Sequence, residues 1–450
     1  MKRRDALKFG ILTAVSTTLG ANTTTKSDKE ICNALNLTDK LDTINRVGKQ
    51  PRVIIIGGGF GGLTTAKTIQ NNYDGAEVMV FDPKNIFASC PYSNLWIGGL
   101  DNITYENLVR SPLAPAMQHD YKLINEKVIV IDRSLKFIKT DQGCYEYNLL
   151  VLATGIEYDY APYGLDAKEA LLCKNRYPAS YQGGNEQLML KEKVENFTGG
   201  TFVITVPKGG YRCPPAPYER ACLIANFFKT NKIKAKVVVL DPREKPAAKA
   251  KGFLKAFKDY YADFIDYRPM SNISNIDLRK KRIIYQGFDL KSKKFTTQTL
   301  GFDDANIIPS NRASKLLKDS GLALTSTGWG RVKAPGFRSY NDDDVYLVGD
   351  VLGEYPFPKS GQMAHSCATI LGGHIALRLA GKDPKEGEVL PGNVCYSMVT
   401  SDKGIAVTHK AYYSSNEGMK TEVELFEDAT QNTALATHGW YTGIMNNIFN

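Results

Sequence analysis

The stretch that decides the fold is "RVIIIGGGFGGLTTAKTIQNNYDGAEVMVFDP", residues 52–83. Its apolar start, residues 52–56, is rich in β-branched side chains and predicts a buried parallel strand. A second apolar run, "EVMVF" at residues 77–81, predicts the next strand, and Asp82 ends it. A carboxylate at this point can accept hydrogen bonds from a ribose. The strand–helix–strand frame with its terminal acid therefore predicts a dinucleotide-binding α/β unit.

Three glycines, Gly57, Gly59 and Gly62, stand at the turn between the first strand and the helix. Their spacing is the dinucleotide fingerprint G-x-G-x-x-G. The first glycine permits the tight turn, the second lets a pyrophosphate approach the backbone, and the third lets helix and strand pack closely. The helix that begins here offers unpaired N–H groups and a positive dipole end to the phosphates.

The composition is that of a folded protein with more than one domain. The 450 residues suffice for two or three domains, and 43% hydrophobic with 23% charged residues are ordinary globular values. The eight cysteines include no CxxC and no CxxCH, so no metal site and no covalent haem are predicted. The formal net charge is +10, but no dense Lys/Arg stripe with interleaved aromatic residues is present. Nucleic acid is therefore not a predicted partner, and the basic surface is either solvated or docks an acidic partner protein.

The first residues, "MKRRDALKFGILTAVSTTLGANTTTK", combine a charged start with a short apolar run and small residues. This pattern predicts an export signal over residues 1–21, and Arg3-Arg4 resembles a twin-arginine signal. The alternative is a buried first helix. No segment is long and apolar enough to span a membrane. We therefore expect a periplasmic protein.

Two further apolar runs predict strands of the same sheet. They are "YNLLVLATG", which ends in Thr154 and Gly155, and "DDVYLVGDV", which ends in Gly349 and Asp350. Fingerprint, Ala-Thr-Gly and Gly-Asp together resemble the two-dinucleotide-domain flavoproteins of the glutathione reductase type. The resemblance implies an α/β fold with two Rossmann-like domains, FAD as cofactor, and Asp350 at the ribityl chain of the flavin.

This resemblance also implies a domain order. The predicted parts are an FAD-binding domain over 48–160 and 315–385, an NAD-like domain over 161–314, and a C-terminal region over 386–450. The helix after the Gly-Asp turn should direct its N-terminus at the flavin pyrimidine.

The strand-to-helix turn of the second domain, "GGYRCPPAPYER" at residues 209–220, has no G-x-G-x-x-G. Its prolines remove N–H donors that a phosphate would use, so we expect no nicotinamide site here. Cys213 stands at a helix N-terminus, which favours the thiolate. Glu219, six residues on, can handle a proton. A redox cysteine needs a partner, and this pattern leaves Cys90, Cys367 and Cys395 open.

Five segments carry a more specific resemblance, to the flavoprotein subunit of flavocytochrome c sulfide dehydrogenase. They are "ASCPYSNLWIGG", "GYRCPPAPYER", "FPKSGQMA", "NVCYSM" and "GWYTGIMNNIF". The resemblance implies a redox-active disulfide between Cys213 and Cys395 beside the flavin ring. It makes Cys90 the cysteine that can bind the flavin 8α-methyl group, Glu219 the acid of the cysteine loop, and Trp440 the tail tryptophan near the flavin. Without it, Cys395 is equally an ordinary strand cysteine and Cys90 a packed thiol.

The implied reaction is oxidation of sulfide. Hydrosulfide is an anionic sulfur nucleophile that can open a disulfide. We expect a persulfide on one cysteine, a thiolate on the other, and transfer of two electrons to FAD. Because the chain has no haem motif, a separate c-type cytochrome subunit is the expected acceptor.

Three alternatives remain open. A sulfide:quinone reductase would need a quinone site facing a membrane, and the tail stripe that could form one carries no Lys or Arg, which favours packing against the flavin domain. An NADH-dependent disulfide reductase would need the missing fingerprint. A non-catalytic flavin-binding subunit would not need the cysteine pair.

Overall fold

The computed structural model describes residues 50–289 and 292–450. The predicted export signal, residues 1–21, lies outside the described residues, as does the predicted start of the first domain at residue 48.

The described strands are, in chain order, β1 (Arg52–Ile56), β2 (Glu77–Phe81), β3 (Phe87–Ala88), β4 (Val109–Arg110), β5 (Lys122–Ile124), β6 (Val128–Asp132), β7 (Phe137–Thr140), β8 (Cys144–Glu146), β9 (Leu149–Leu152), β10 (Ile156–Asp159), β11 (Gly200–Thr205), β12 (Ala235–Leu240), β13 (Ile265–Arg268), β14 (Asn272–Asp277), β15 (Arg282–Asp289), β16 (Lys294–Gly301), β17 (Asp304–Asn306), β18 (Ser310–Ala313), β19 (Arg338–Ser339), β20 (Asp342–Leu347), β21 (Gly392–Met398), β22 (Gly404–Ser414) and β23 (Gly418–Thr430).

The described α-helices are α1 (Phe60–Asn72), α2 (Ser93–Ile97), α3 (Tyr105–Leu108), α4 (Leu113–Gln118), α5 (Ala167–Arg176), α6 (Asn185–Glu195), α7 (Ala216–Thr230), α8 (Ala250–Tyr261), α9 (Lys315–Asp319), α10 (Gly361–Leu379) and α11 (Gln431–Phe449), and short 3₁₀ turns cover Ala161–Tyr163 and Gly349–Val351.

The first domain is built on a six-stranded sheet of order β19-β20-β9-β1-β2-β5. Strands β20, β9, β1, β2 and β5 are parallel, with Val53 of β1 paired to Val78 and to Leu149. Because helices cover both faces of such a sheet, its central strands are apolar throughout, and β1 is buried from its second residue on. The strands predicted at 52–56 and 77–81 coincide with β1 and β2.

The second domain repeats the parallel arrangement in the order β13-β12-β11-β17 and adds the antiparallel sheet β14-β15-β16. Helix α7 connects β11 to β12 and is buried along most of its first three turns. The antiparallel pair β10–β18 carries the chain into this domain and back, since Ile156 pairs with Ala313. The predicted α/β fold with two Rossmann-like domains is confirmed.

The C-terminal region is an antiparallel meander, β21-β22-β23, followed by α11. The apolar stripe of α11 faces inward: Tyr441, Ile444, Met445 and Ile448 are all buried, and the ring of Phe449 lies 4.9 Å from that of Phe87. The expected packing of this tail against the first domain is thus observed. Among residues 50–289 and 292–450, none of the helices has the length and apolarity that crossing a bilayer requires.

Candidate active site

A cleft of about 630 Å³ lies where the two domains and the C-terminal region meet. One end reaches the glycine turn after β1, and the other reaches the paired cysteines of the second domain and the C-terminal region. The predicted site residues on its wall are Gly57, Gly59, Asp82, Cys90, Thr154, Gly155, Cys213, Glu219, Gly349, Asp350, Cys395 and Trp440. Gly62 lies behind the wall, in the first turn of α1.

The three fingerprint glycines occupy three different environments. Gly57 has a left-handed φ of +111°, and a Cβ there would lie 2.4 Å from the carbonyl oxygen of Ala153. A Cβ on Gly62 would lie 1.8 Å from the carbonyl oxygen of Gly57, so the helix packs directly on the turn. A Cβ on Gly59 would meet nothing within 4 Å, because this backbone faces the cleft. These are the turn, packing and approach positions of a dinucleotide site.

Acidic groups flank the first domain's end of the cleft. Asp82 at the end of β2 accepts hydrogen bonds from the backbone N–H groups of Gly58 (2.7 Å) and Lys84 (2.8 Å). Oδ2 of Asp350 accepts a hydrogen bond from Arg212 Nε at 2.5 Å. Its Oδ1 accepts no hydrogen bond from the described residues. Arg212 was not predicted, although it directly precedes Cys213.

Gly155 and Thr154 complete this wall. Gly155 has a left-handed φ of +69°, which favours glycine. A Cβ there would lie 2.6 Å from a terminal nitrogen of Arg212, so a larger residue would displace this guanidinium group. The hydroxyl of Thr154 is buried and has no hydrogen-bond partner in the structure. A buried hydroxyl without a partner is costly, so a ligand that hydrogen-bonds it fits here. An elongated cleft with an open glycine backbone, this hydroxyl and a free carboxylate oxygen suits a dinucleotide cofactor with ribityl or ribose hydroxyls.

Cys213 and Cys395 meet at the far end of the cleft. Cys213 adopts a left-handed φ of 51°, and its N–H donates to the carbonyl oxygen of Lys359 at 2.7 Å. Cys395 is the middle residue of β21 and pairs with Val407 of β22. Both are free thiols in the structure, and their side chains lie close enough for a hydrogen bond between the two sulfurs to couple their acidities. The fold has brought together two cysteines that lie 182 positions apart.

The negative charge of this pair belongs on Cys395. The hydrogen bond that Cys213 donates, together with burial, raises the pKa of the Cys213 thiol well above its ordinary value. The same hydrogen bond, assisted by the ammonium of Lys249, lowers the pKa of the Cys395 thiol to about 7. The expectation that a helix N-terminus favours the thiolate of Cys213 is therefore wrong: α7 begins only at Ala216, and the contact between the two sulfurs decides their acidity.

Glu219 lies beside the two thiols, on the first turn of α7. Glu219 is only 8% exposed. Its Oε1 accepts a hydrogen bond from the backbone N–H of Met398 at 2.8 Å, and its Oε2 accepts one from Asn94 Nδ2 at 2.7 Å. Burial raises the pKa of this carboxyl group despite the two hydrogen bonds. Arg220 Nε donates to Asn94 Oδ1 at 2.9 Å, which fixes the orientation of the amide. Sequence reasoning missed Asn94 and Arg220.

Cys90 and Trp440 lie on the wall between the two ends. Cys90 Sγ donates to the carbonyl oxygen of Tyr181 at 3.2 Å, and burial raises the pKa of its thiol. Trp440 Nε1 donates to Gln362 Oε1 at 2.8 Å, which ties α11 to the first turn of α10. The hydroxyl of Ser360 caps α10 by accepting the N–H of Met363 at 3.0 Å. As expected, this helix directs its N-terminus into the cleft.

The corresponding turn of the second domain differs from a nucleotide site. Asp241, the acid at the end of β12, is fully buried, and its Oδ2 accepts the hydroxyls of Tyr218 (2.5 Å) and Tyr267 (3.0 Å). Arg243 donates to the carbonyl oxygens of Pro207 (2.9 Å) and Gly209 (2.8 Å) in the turn itself. The acid that could accept a ribose is thus already engaged.

Two family profiles match the chain. Residues 187–299 match the family described as the central part of the sulfide dehydrogenase [flavocytochrome c] flavoprotein chain. Residues 51–203 match the pyridine nucleotide-disulphide oxidoreductases.

The curated relatives include oxidoreductases of three activities. The mitochondrial sulfide:quinone oxidoreductase of Mus musculus is 24% identical over 344 residues, 74% of this chain and 72% of that protein. A type II NADH:quinone oxidoreductase of Staphylococcus haemolyticus is 32% identical over 344 residues, 70% of this chain and 79% of that protein. The sulfide dehydrogenase [flavocytochrome c] flavoprotein chain of Chlorobaculum thiosulfatiphilum is 44% identical over 43 residues, 10% of this chain and 90% of that short sequence.

Among solved structures, the sulfide:quinone oxidoreductase of Aquifex aeolicus superposes with a TM-score of 0.67 and 19% identity, covering 89% of this chain and 92% of that one. This likeness shows the shared fold. Profiles, relatives and fold agree that the chain belongs to the family of flavin-dependent oxidoreductases that contains the sulfide dehydrogenase flavoprotein chain and the sulfide:quinone oxidoreductases.

Proposed function

We propose that this flavoprotein oxidises sulfide at a redox-active disulfide between Cys213 and Cys395 and passes the electrons through FAD to a separate c-type cytochrome. The observation that carries the proposal is the placement of the two thiols together at the end of the cleft, close enough for their acidities to be coupled. Their contact is what the proposed chemistry requires.

The first step opens the disulfide. Hydrosulfide attacks one sulfur, the cysteine–cysteine bond breaks, and the products are a persulfide and a thiolate. A second hydrosulfide takes the outer sulfur of the persulfide as disulfanide, HSS⁻, and leaves the cysteine as a thiol. The pair is then one thiol and one thiolate, and the lower pKa of Cys395 places the charge on that residue.

The second step re-forms the disulfide. A thiol and a thiolate yield a disulfide, one proton and two electrons. Bound FAD supplies the two-electron acceptor that can release electrons singly. Glu219 takes the proton: it faces both cysteines, and burial raises the pKa of its carboxyl group, which makes it a stronger base than an exposed glutamate. The balance is two hydrosulfides to one disulfanide, one proton and two electrons.

The residues that would hold FAD are those of the cleft wall. Gly59 and the start of α1 would meet the pyrophosphate, Asp82 the ribose, and Asp350 and Thr154 the ribityl chain. The N-terminus of α10 would stabilise negative charge at the flavin pyrimidine.

We also propose that Cys90 attaches the flavin covalently through its 8α-methyl group, since the thiol lies on the same wall. Acid precipitation of the purified protein tests the bond. Yellow colour in the pellet supports it, and colour wholly in the supernatant rules it out.

A c-type cytochrome is the proposed acceptor because residues 187–299 match the flavocytochrome c family and the Chlorobaculum relative bears the same description. The segment outside the described residues, 1–21, would export the protein to the periplasm through its twin-arginine-like signal. A quinone acceptor is the second candidate, supported by the coverage of the sulfide:quinone oxidoreductase relatives.

Anaerobic reduction of the flavin by sulfide, followed by its visible absorbance, tests the disulfide mechanism. Cys213→Ser and Cys395→Ser should each slow it by at least about 100-fold while FAD stays bound, the scale of losing a covalent nucleophile. Cys173→Ala is the matched control, because this buried thiol belongs to another hydrophobic cluster of the second domain. Reduction of either serine variant at the wild-type rate would contradict the mechanism and favour a non-catalytic flavin-binding subunit.

A further inference from the structure

Lys249 is a buried cation next to the cysteine pair. It directly precedes α8, has a left-handed φ of 51°, and is 1% exposed. Its Nζ donates to the carbonyl oxygen of Cys395 at 3.0 Å and to Ser397 Oγ at 2.7 Å. Both acceptors are uncharged, and Lys249 forms no ion pair with any carboxylate of the described residues. A buried ammonium without a counter-charge is costly, so this position calls for an anion.

The geometry of β21 shows where that anion is. Successive side chains of a strand alternate between its two faces, so Cys395 and Ser397 project from the same face. The ammonium that contacts Ser397 Oγ therefore lies on the face that carries Cys395 Sγ. Its charge favours the anionic form of Cys395, whose pKa is lowered, and partly offsets the effects that raise the pKa values of Cys213 and Glu219.

The neighbouring elements contribute no carboxylate that forms an ion pair with the ammonium among the described residues. The two carboxylate oxygens of Glu219 in α7 accept hydrogen bonds from the Met398 N–H and from Asn94 Nδ2. Glu427 of β23 accepts the N–H of Gly252 at 3.2 Å. Burial and the charge of Lys249 lower the pKa of His409 of β22, which carries no negative charge in either of its protonation states. Glu219 interacts with the ammonium without forming an ion pair, and the sulfur of Cys395 is the second group that can carry a balancing negative charge.

We infer that Lys249 is a positioning residue of the redox site, whose ammonium balances the negative charge of Cys395 whenever the Cys213–Cys395 bond is open. The inference rests on the proposed function for its role in turnover. Hydrosulfide brings one negative charge into the site, the disulfide bond breaks as the new sulfur–sulfur bond forms, and the charge remains on the expelled thiolate. Lys249 stabilises that thiolate and holds the Cys395 backbone in place.

The test measures thiol acidity and needs no sulfide. The chemically reduced holoprotein is alkylated with iodoacetamide as a function of pH, and the modification of Cys395 is followed by mass spectrometry. In the wild type the midpoint should lie at about 7. Lys249→Met and Lys249→Gln should raise it by about 1 unit or more, the usual effect of removing an adjacent opposite charge. Lys249→Arg should restore a midpoint close to that of the wild type.

Two features keep the test decisive. Lys249→Gln can still donate to Cys395 and Ser397, so it separates charge from hydrogen bonding, and it serves if Lys249→Met loses its FAD. Lys251→Met is the matched control on an exposed lysine two residues away and should not shift the midpoint. An unchanged midpoint in Lys249→Gln would overturn the inference. Failure of the wild type to react with sulfide would instead overturn the proposed function and leave the thiol result standing.

Discussion

At the scale of single residues, Glu219 acts on the cysteines in two opposite ways. Its negative charge opposes ionisation of both thiols, yet its raised pKa suits it to the proposed role of the base that takes their proton. Glu219→Gln should therefore shift the alkylation midpoint of Cys395 below about 7. The same change should slow sulfide-driven flavin reduction by about 100-fold, as expected on losing a general base.

The two readouts of Glu219→Gln separate a proton acceptor from a charge that merely tunes the thiols. A more acidic Cys395 with an unchanged or faster rate of flavin reduction would argue against the role as base. Glu417→Gln, at an exposed turn, controls for the loss of one negative charge.

Short motifs predicted the residues of the proposed chemistry but not the residues that contact them. Cys213 and Glu219 stand in one recognisable turn, and Cys395 was paired with Cys213 through a family resemblance. Lys249 and Asn94 had no such signal, because a lysine 146 positions from Cys395 and an amide 125 positions from Glu219 become neighbours only through the tertiary fold. The expectation of a thiolate at Cys213 was wrong for the same reason, since the acidity of this thiol depends on its contact with Cys395.

At the scale of elements, the turn after β11 decides whether a nicotinamide cofactor can bind. Asp241 is engaged by two tyrosine hydroxyls, and Arg243 covers the carbonyls of the turn. The N–H of Cys213 donates a hydrogen bond to the carbonyl oxygen of Lys359 and is therefore not available to a phosphate. We expect that NADH will not reduce the flavin, although a type II NADH:quinone oxidoreductase is among the relatives.

Anaerobic addition of NADH to the oxidised protein, followed at the flavin absorbance, checks this expectation. Sulfide added to the same cuvette is the positive control. Bleaching by NADH alone would mean that the hydrogen bonds of Arg243 and the two tyrosines break on binding and that the second domain binds the nicotinamide cofactor.

The elements themselves differed in how far they could be predicted. Strands β1, β2 and β9 are continuous apolar runs between turn signals, so periodicity and glycine spacing located them. The strands β22 and β23 were not predicted. Much of β23 is exposed on both faces, including Val423 and Glu424, so no buried face imposed a pattern on its sequence.

At the scale of the whole molecule, the site exists only because three parts of the chain close on one cleft. The first domain supplies the cofactor end, the second supplies Cys213 and Glu219, and the C-terminal meander supplies Cys395. A parallel sheet places ligands at the carboxyl ends of its strands, so the approach of the turn after β11 to the cleft follows from the fold class. The position of the meander does not follow from it, and only the resemblance predicted that Cys395 would reach Cys213.

The disposition of α11 bears on the electron acceptor. Its apolar stripe is buried against the first domain, where Phe449 contacts Phe87 and Tyr441 stacks on Tyr92 at 4.2 Å. This stripe is therefore not available to insert into lipid, and the helix carries no Lys or Arg for headgroups.

We expect purified protein with sulfide to reduce a c-type cytochrome and to reduce a short-chain quinone no faster than the uncatalysed background. The measurement is cytochrome or quinone absorbance under anaerobic conditions, with Cys395→Ser as the control for direct chemical reduction by sulfide. Because both acceptors would draw on the same reduced flavin, quinone reduction that is catalysed and abolished in Cys395→Ser would assign the protein to the quinone-linked branch while leaving the cysteine chemistry intact.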